Sequence, residues 1–399
     1  MISFEEALKI ILDNSPVLQP ERIYIADSVG RVLAENVISK IPMPPFHKSA
    51  VDGYALKAAQ AESAGILLTC TGLIQAGETF GKEIKPGECI KIMTGAAVPE
   101  STDAVIMVED TRPLEDGTVE ILKSVKKGQN ICVKGEDIAF GQKVIEKGTL
   151  ISSSHVAVMA SSGRKTIKVY GRPEVAILNT GGEIVPVGRK ITGNRIYNSN
   201  GPMLEALLKE DGIQANSLGI AKDTEHDLQR ALEKGLTADV LLVSGGVSMG
   251  DYDLVPAILK EMGVKELFHT VRIKPGKPLF FGVKRKKIIF GIPGNPVSNF
   301  LTYLLFIRPA LHAMMGYTVK EPVVFEGLTS ALLHSDTNRK HFIPARICKK
   351  GGDFLLTPVS SHGSADILAL SNADAFLMLE EGSDIKQGAK VKFVTWKRI

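Results

Sequence analysis

The stretch DVLLVSGGVSMGDYD, residues 239 to 253, decides the fold of the middle of the chain. Its first five residues, Asp239 to Val243, form an apolar run with the length of one buried strand. The ten residues after them hold three glycines, two serines and two aspartates, so the strand ends in an acidic, glycine-rich loop. A helical pattern, Tyr252 to Met262, follows the strand. This order is typical of a parallel sheet covered by helices.

The same alternation extends outward from this stretch, from Pro173 to about Gly316. The sequence predicts strands at Val175 to Leu178, Ile213 to Gly219, Asp239 to Val243, Leu267 to Ile273 and Ile288 to Phe290, and helices at Gly201 to Glu210, Thr224 to Gly235 and Tyr252 to Met262. Strands that alternate with helices in this way predict a doubly wound α/β domain with a largely parallel sheet.

The regions on both sides are predicted to be rich in β-strands. Ser3 and Glu6 form a capping box that begins a short amphipathic helix, and short β-type stretches separated by Gly, Pro and Asp turns then run to about residue 150. A helix after Ser152 ends near Gly163, and short strands return beyond about residue 320. The fold class is therefore α/β plus β, with a β-rich N-terminal domain and a small C-terminal β domain.

Composition limits the classes of function. The chain has 399 residues, 44% of them apolar, and a formal charge of +4 from 48 basic and 44 acidic residues. This balance argues against nucleic acid or a membrane surface as the main partner, and the length predicts two to four domains. The four cysteines include no C-x-x-C pair, and no basic leader or run of about 18 apolar residues occurs, so we expect reduced thiols and a cytoplasmic location.

Three glycine-rich loops follow predicted strands: NTGGE (179–183), SGGVSMGDYD (244–253) and GIPGNPVS (291–298). Each alone could be an ordinary turn. Because the carboxyl ends of parallel strands share one edge of a sheet, we expect the three loops to form one binding site. Asn295 can cap a helix with Pro296 at its first position, which favours a bound phosphate. None of the loops matches G-x-G-x-x-G or the P-loop pattern.

Four carboxylates fall at the same predicted edge. Glu183, Asp223, Asp251 and Asp253 would repel a phosphate unless a cation stood between them. Carboxylates together with substrate phosphates suit Mg²⁺. The alternative for Asp253 is that it only caps the helix that follows.

Two lysines surround a Pro-Gly turn in Arg272-Ile-Lys-Pro-Gly-Lys-Pro278. The turn can direct both ammonium groups, of Lys274 and Lys277, at one small oxyanion. The basic run from Lys284 to Lys287 lies between two apolar stretches and is predicted to be a solvated hairpin tip. The proline-rich segment from Pro42 to Ala55 is either a connector between domains or part of a site.

Eight motifs in order resemble those of the MoeA and gephyrin E-domain family, the molybdopterin molybdenumtransferases. They are KSAVDGYA (48–55), IMTGAAVP (92–99), KGEDI (134–138), NTGGE, NRIYNSN (194–200), SGGVSMGDYD, IKPGKPLFFG (273–282) and GIPGNPVS. Each is modestly specific, whereas eight in sequence order are highly specific.

The resemblance implies an elongated homodimer of four-domain subunits that inserts molybdate into adenylylated molybdopterin, with release of AMP and formation of molybdenum cofactor in a Mg²⁺-dependent reaction. It implies a helical or linker domain (1–20 with 134–170), a β-rich domain (21–133), an α/β molybdopterin-binding domain (171–318) and a C-terminal β-barrel-like domain (319–399). A transient contact with the upstream adenylyltransferase is also expected. The alternatives are a molybdopterin adenylyltransferase and a non-catalytic dimeric scaffold of the gephyrin E type.

The resemblance also assigns roles to individual residues. Asp52, Thr94 and Asp137 would be catalytic residues that complete the cleft of the other subunit, beside Glu183 and Asp223. The predicted molybdate-binding residues are Lys274, Lys277, Pro278, Arg339 and Ser364. The predicted substrate-binding residues are Gly181, Ser244, Gly245, Gly246, Ser248, Gly294, Asn295, Pro296 and Ser298. The predicted Mg²⁺ ligands are Asp251, Asp253 and Glu183.

One motif departs from the family pattern. The family commonly has Ser-Thr-Gly-Asp-Glu where this chain has NTGGE, so Gly182 stands at the usual Asp position. If that Asp helps to hold the cation, its share falls to Glu183 or to the loop at residue 251. The sequence leaves open which of Asp251 and Asp253 faces the cation, and whether molybdate or tungstate is the natural oxyanion.

Overall fold

The computed structural model describes residues 1–247 and 254–397, in which three six-stranded sheets form along the chain. The helices of this part are Phe4–Asp13, Ser153–Ser161, Asn200–Glu210, Glu225–Gly235, Val255–Glu261, Pro296–Thr302, Arg308–Met314 and Ile367–Ser371, with a π-helical turn at Tyr303–Ile307 and 3₁₀ turns at Ile25–Asp27, Ala58–Gln60 and Val108–Asp110. Among the described residues, no helix combines the length and the apolar composition that a membrane crossing needs.

The central sheet has the predicted, largely parallel architecture. Its strands, in spatial order, are Ala215–Ala221, Val175–Thr180, Val240–Ser244, Lys287–Ile292, Pro278–Lys284 and Lys265–Thr270. All run parallel except Pro278–Lys284, which forms a hairpin with Lys287–Ile292. The tip of this hairpin is the basic run of the sequence analysis, and Arg285 makes the turn with φ +58°.

Helices cover both faces of the central sheet. In strand Val240–Ser244, Val240 and Leu242 belong to one core cluster, and Leu241 and Val243 belong to the other. The first cluster includes residues of helix Asn200–Glu210, and the second includes residues of helix Glu225–Gly235. Successive side chains of a strand point to opposite faces, so an unbroken apolar run marks a strand that is buried on both faces.

The N-terminal sheet is a mixed sheet with its own cores. Its strands, in spatial order, are Ala104–Met107, Gly53–Leu56, Glu88–Ile92, Ile66–Ile74, Thr118–Ile121 and Thr111–Pro113. Side chains from its two faces form two separate apolar clusters. This sheet is the predicted β-rich region.

The C-terminal sheet closes on itself. Its strands, in spatial order, are Ile273–Lys274, Lys340–Lys350, Asp353–Pro358, Val324–Thr329, Lys390–Thr395 and Ala375–Leu379. Lys340–Lys350 pairs with Ala375–Leu379 as well, so five strands form a closed ring around a core that contains Phe393. The sequence predicts one strand from Leu267 to Ile273, but Ile273–Lys274 leaves the central sheet and pairs with Lys340–Lys350.

Two stretches of chain run side by side between the N-terminal sheet and the rest of the molecule. They form the two-stranded pairs Pro20–Tyr24 with Thr166–Tyr170, Val37–Ile38 with Lys143–Ile145, and Lys48–Ser49 with Ile131–Cys132. The sequence assigned residues 21 to 133 to the β-rich domain, whereas the first two pairs join residues 20–38 to the segment 143–170. Local strand patterns carry no information about such distant partners. We call this arrangement the double connector.

Candidate active site

The described residues of the three glycine-rich loops meet at one edge of the central sheet, as the sequence predicted. The strands that precede them, Val175–Thr180, Val240–Ser244 and Lys287–Ile292, are neighbours and run in the same direction. A cavity of about 870 Å³ opens there, which we call the sheet-edge cavity. It is lined by the predicted residues Gly181, Glu183, Asp223, Ser244, Gly245, Gly246, Gly294, Asn295 and Pro296.

Gly245 and Gly246 bring their loop against the end of the neighbouring strand, Val175–Thr180. A Cβ atom on Gly245, which has φ +92°, would lie 2.4 Å from the Thr180 carbonyl oxygen. One on Gly246 would lie 2.7 Å from the Thr180 hydroxyl oxygen. Both positions require glycine because of backbone conformation and close approach.

Two asparagines tie the loops together, and the sequence analysis assigned them no role. The side-chain amides of Asn200 and Asn299 each donate to the Ser244 hydroxyl at 3.0 Å. Asn200 also donates to the Gly294 carbonyl at 2.7 Å, and Asn299 to the Pro293 carbonyl at 3.1 Å. Since the Ser244 hydroxyl oxygen accepts both amide bonds, its proton is left to donate elsewhere. The sequence signals that could have identified these residues are the last asparagine of NRIYNSN, Asn200, and the asparagine directly after GNPVS, Asn299.

Two of the four predicted carboxylates, Glu183 and Asp223, line the sheet-edge cavity. The Asp223 carboxylate accepts a hydrogen bond from the Gly182 backbone N–H at 2.7 Å. A Cβ atom on Gly182 would lie 3.6 Å from this carboxylate, which is an ordinary contact, so the space at this position does not itself require glycine. Asp251, Asp253 and Ser248 lie outside the described residues.

No group of three His, Cys, Asp or Glu side chains that could hold a metal occurs within residues 1–247 and 254–397. Glu183 and Asp223 are the described residues that offer carboxylate oxygens to a cation in this cavity.

Asn295 begins helix Pro296–Thr302, with Pro296 at the first helical position as predicted, but its side chain does not cap the helix. Its amide instead donates to the Ser364 hydroxyl at 2.8 Å, and the Val297 backbone N–H donates to the Ser364 carbonyl at 3.0 Å. These bonds attach a loop of the C-terminal region to the start of this helix, a long-range contact that no local pattern encodes.

A second cavity, of about 590 Å³, lies between the central sheet and the C-terminal sheet. We call it the lysine cavity. It is lined by all five predicted molybdate-binding residues, namely Lys274, Lys277, Pro278, Arg339 and Ser364, and also by Ser298, which was predicted to bind the other substrate. Pro278, Pro293 and Asn295 line both cavities, so the two adjoin.

The lysine cavity concentrates positive charge. Lys274 lies 3.4 Å from the carboxylate of the exposed Asp336, and hydrogen bonding from Lys274 holds the pKa of Asp336 below its ordinary value. The Arg339 guanidinium donates to the Ile273 carbonyl at 3.3 Å. Asp336 is not one of the described residues that line the cavity. Three cationic side chains around a small space suit an oxyanion.

The remaining predicted catalytic residues, Asp52, Thr94 and Asp137, lie outside both cavities, in the N-terminal region. All three side chains are exposed. Asp52 accepts hydrogen bonds from the Thr94 backbone N–H at 2.6 Å and the Thr94 hydroxyl at 2.7 Å, and these bonds hold the pKa of Asp52 below its ordinary value. Asp137 donates its backbone N–H to the Met43 carbonyl at 3.0 Å.

Three family models match most of the chain. They describe the MoeA N-terminal region (domain I and II) at residues 2–163, a probable molybdopterin binding domain at residues 176–313, and the MoeA C-terminal region (domain IV) at residues 327–396. The matches include residues of all three sheets.

Individual proteins are similar over nearly the whole length. A molybdopterin molybdenumtransferase of Staphylococcus epidermidis is 32% identical over 391 residues, which cover 96% of this chain and 92% of that protein. One from Staphylococcus aureus is 32% identical over 394 residues, with the same coverage. The crystal structure of a molybdopterin biosynthesis MoeA protein from Pyrococcus horikosii is 30% identical, with a TM-score of 0.86 and 100% of both chains covered.

Proposed function

As the chain belongs to the MoeA family of molybdopterin molybdenumtransferases, we propose that its two adjoining cavities each hold one substrate of that reaction. The chain is a transferase of molybdenum cofactor biosynthesis. In our proposal the sheet-edge cavity binds adenylylated molybdopterin, the lysine cavity binds molybdate, and AMP leaves as molybdenum cofactor forms. The adjacency of the two cavities at Pro278, Pro293 and Asn295 carries this proposal, because transfer requires the two substrates to meet.

Each cavity has the chemistry that its proposed ligand requires. Glycines at the sheet edge let backbone N–H groups come near a diphosphate, as in other phosphate sites at the ends of parallel strands. The lysine cavity presents Lys274, Lys277 and Arg339 to a small dianion. We propose that the fixed charges and donors of both cavities stabilise charge that develops as the adenylyl bond is hydrolysed, without a protein nucleophile.

A Mg²⁺ ion fits the sheet-edge cavity through its donor set. Glu183 and Asp223 supply carboxylate oxygens to a cavity proposed to hold phosphates, which is the mixture of ligands that Mg²⁺ commonly takes in such sites. When bound, Mg²⁺ would neutralise phosphate charge. We propose that the ion binds the Asp223 oxygen that does not accept from the Gly182 backbone N–H. Asp251 and Asp253 remain predicted ligands.

The exposed pair Asp52 and Thr94 supports a homodimer in which each cleft is completed by the other subunit. The two residues are held together by hydrogen bonds, although they line neither cavity of their own chain. We propose that this pair and Asp137 act in the partner's sheet-edge cavity. We also propose a cytoplasmic location and a transient contact with the upstream adenylyltransferase.

The two alternative functions are not favoured. The relatives over 96% of this chain are named molybdopterin molybdenumtransferases, and the similarity includes the N-terminal and C-terminal regions. A scaffold would have no need for the lysine cavity beside the sheet-edge cavity.

The proposed reaction can be tested with adenylylated molybdopterin as substrate. We expect AMP release that requires both molybdate and Mg²⁺, and no consumption of ATP when unmodified molybdopterin is supplied instead. Both substrates should be needed because each of the two adjoining cavities is proposed to bind a different anion, and transfer requires the two to meet. Chromatographic measurement of AMP, with each component omitted in turn, checks this. AMP release at the same rate without molybdate would contradict the proposal.

The shared cleft can be tested by combining two variants that are expected to be impaired, Asp52→Asn and Lys274→Ala, in one heterodimer purified through two different tags. The rate is measured at a molybdate concentration well below the KM of Lys274→Ala. If Asp52 acts in the partner's cleft, one of the two clefts contains both native residues, and the heterodimer should show about half of the wild-type rate. If each cleft is built from one chain, neither is intact, and the rate should stay near those of the two variant homodimers. Doubly tagged Lys274→Ala dimers are the control for activity introduced by the tags or by mixing.

A further inference from the structure

His341 is a half-buried histidine that lines the lysine cavity and to which the sequence analysis assigned no role. It lies on strand Lys340–Lys350, directly opposite Lys274 in a parallel ladder. Side chains of directly opposed strand residues project from the same face of a sheet. The imidazole is therefore a neighbour of the ammonium group that is proposed to bind molybdate.

The two ring nitrogens differ in their surroundings. Nδ1 is buried, and it has no hydrogen-bond partner among the described residues. Nε2 differs, because within the described residues it is not a buried nitrogen that lacks a hydrogen-bond partner. Burying an unpaired N–H is unfavourable, because the group loses its hydrogen bond to water. The tautomer with its proton on Nε2 gives that proton access to solvent or ligand, so we expect it to predominate.

The charge state of the ring follows from its neighbours. Burial lowers the pKa of His341 to about 4, and the nearby cations Lys274 and Arg339 act in the same direction, whereas Asp336 opposes them. At neutral pH the ring is uncharged. It can then offer one N–H donor without adding a fourth positive charge to the cavity.

We propose that His341 is an oxyanion-binding residue that donates Nε2–H to one oxygen of molybdate, beside the cationic donors Lys274, Lys277 and Arg339. This inference rests on the proposed function of the lysine cavity. A tetrahedral oxyanion has four oxygens to satisfy, and a neutral donor adds a hydrogen bond where another cation would be repelled by its neighbours.

Calorimetric titration of the full chain with molybdate tests the role. Removing one hydrogen bond to a charged group costs about 1.5 kcal/mol, so His341→Ala should weaken molybdate binding about tenfold. His341→Gln, which keeps a neutral N–H donor, should stay within about threefold of wild type. Binding of adenylylated molybdopterin should be unchanged in both variants. His334→Gln, at an exposed histidine of the same region paired with Asp384, is the matched control.

A second measurement needs no folded alanine variant. In wild-type protein labelled with ¹⁵N-histidine, molybdate should shift the Nε2–H resonance of His341, which is identified by its loss in His341→Gln. Wild-type affinity in His341→Ala, equal losses in the Ala and Gln variants, or an unmoved resonance at saturating molybdate would each overturn the inference.

The same titrations separate this inference from the proposed function. Lys274→Ala is measured in parallel. If wild type does not bind molybdate, or Lys274→Ala binds it normally, the assignment of the cavity itself fails. If Lys274→Ala loses binding and His341→Ala does not, the cavity stands and only the role of His341 fails.

Discussion

Replacing Lys274 by alanine is expected to raise the KM for molybdate about 30-fold, with binding of adenylylated molybdopterin within about threefold of wild type. Losing a charged donor to a bound anion costs about 2–5 kcal/mol. The lower end of this range applies because the Lys274 side chain is 38% exposed and is already paired with the Asp336 carboxylate. The effect should be selective because Lys274 lines the lysine cavity and not the sheet-edge cavity. Initial rates of AMP release against molybdate concentration give the KM, and calorimetry gives the nucleotide affinity.

Lys286→Ala is the matched control for this prediction. Lys286 is exposed at the tip of the basic hairpin and lines neither cavity, so its loss removes one positive charge from the protein without removing a proposed ligand. Neither the KM for molybdate nor the nucleotide affinity should change. Equal loss of both substrates in Lys274→Ala would refute the division of the site into two cavities.

Gly245→Ala is expected to abolish binding of adenylylated molybdopterin and to destabilise the central domain by about 3 kcal/mol. The added Cβ would lie 2.4 Å from the Thr180 carbonyl oxygen, so the loop and the strand end beside it must separate. The residue must also keep φ +92°, which side chains of L-amino acids rarely adopt. Thermal denaturation and calorimetric titration with the nucleotide measure the two effects.

Gly263→Ala separates the close contact from the backbone conformation. Gly263 has φ +77° in the same domain, but a Cβ there would meet nothing within 4 Å. It should therefore show the conformational cost alone, about 1 kcal/mol, with normal nucleotide binding. If Gly245→Ala were no more harmful than Gly263→Ala, the close approach of the two loops would not matter for the site.

The sequence was most informative where a local pattern decides the structure. The apolar run before Ser244 predicted a buried strand, and the expected parallel sheet predicted that the loops containing Gly181, Gly245 and Gly294 would meet. Strand ends can be read locally, and the geometry of a parallel sheet then brings them together.

The parts that the sequence did not predict depend on distant partners. Nothing near Asn295 indicates that its side chain leaves the helix start and donates to Ser364. The position of His341 in the lysine cavity depends on the departure of Ile273–Lys274 from the central sheet, which the residue pattern presented as the end of one longer strand. The proposed roles of Asp52 and Thr94 depend on a second chain, and Asp251 and Asp253 lie outside the described residues.

The double connector has a consequence for the order of folding. Pro20–Tyr24 cannot pair until Thr166–Tyr170 has been synthesised, and the whole N-terminal sheet lies between them in the chain. Once that sheet has folded, the two stretches of the double connector are held near each other where they leave it, by the pair Lys48–Ser49 and Ile131–Cys132. The loop that must still be closed is therefore shorter. We expect the N-terminal sheet to fold first. The strand pairs of the double connector should then form one after another, from the sheet towards Pro20. A ribosome-bound chain stalled before Thr166 would thus carry an unpaired strand edge, open to association with other nascent chains.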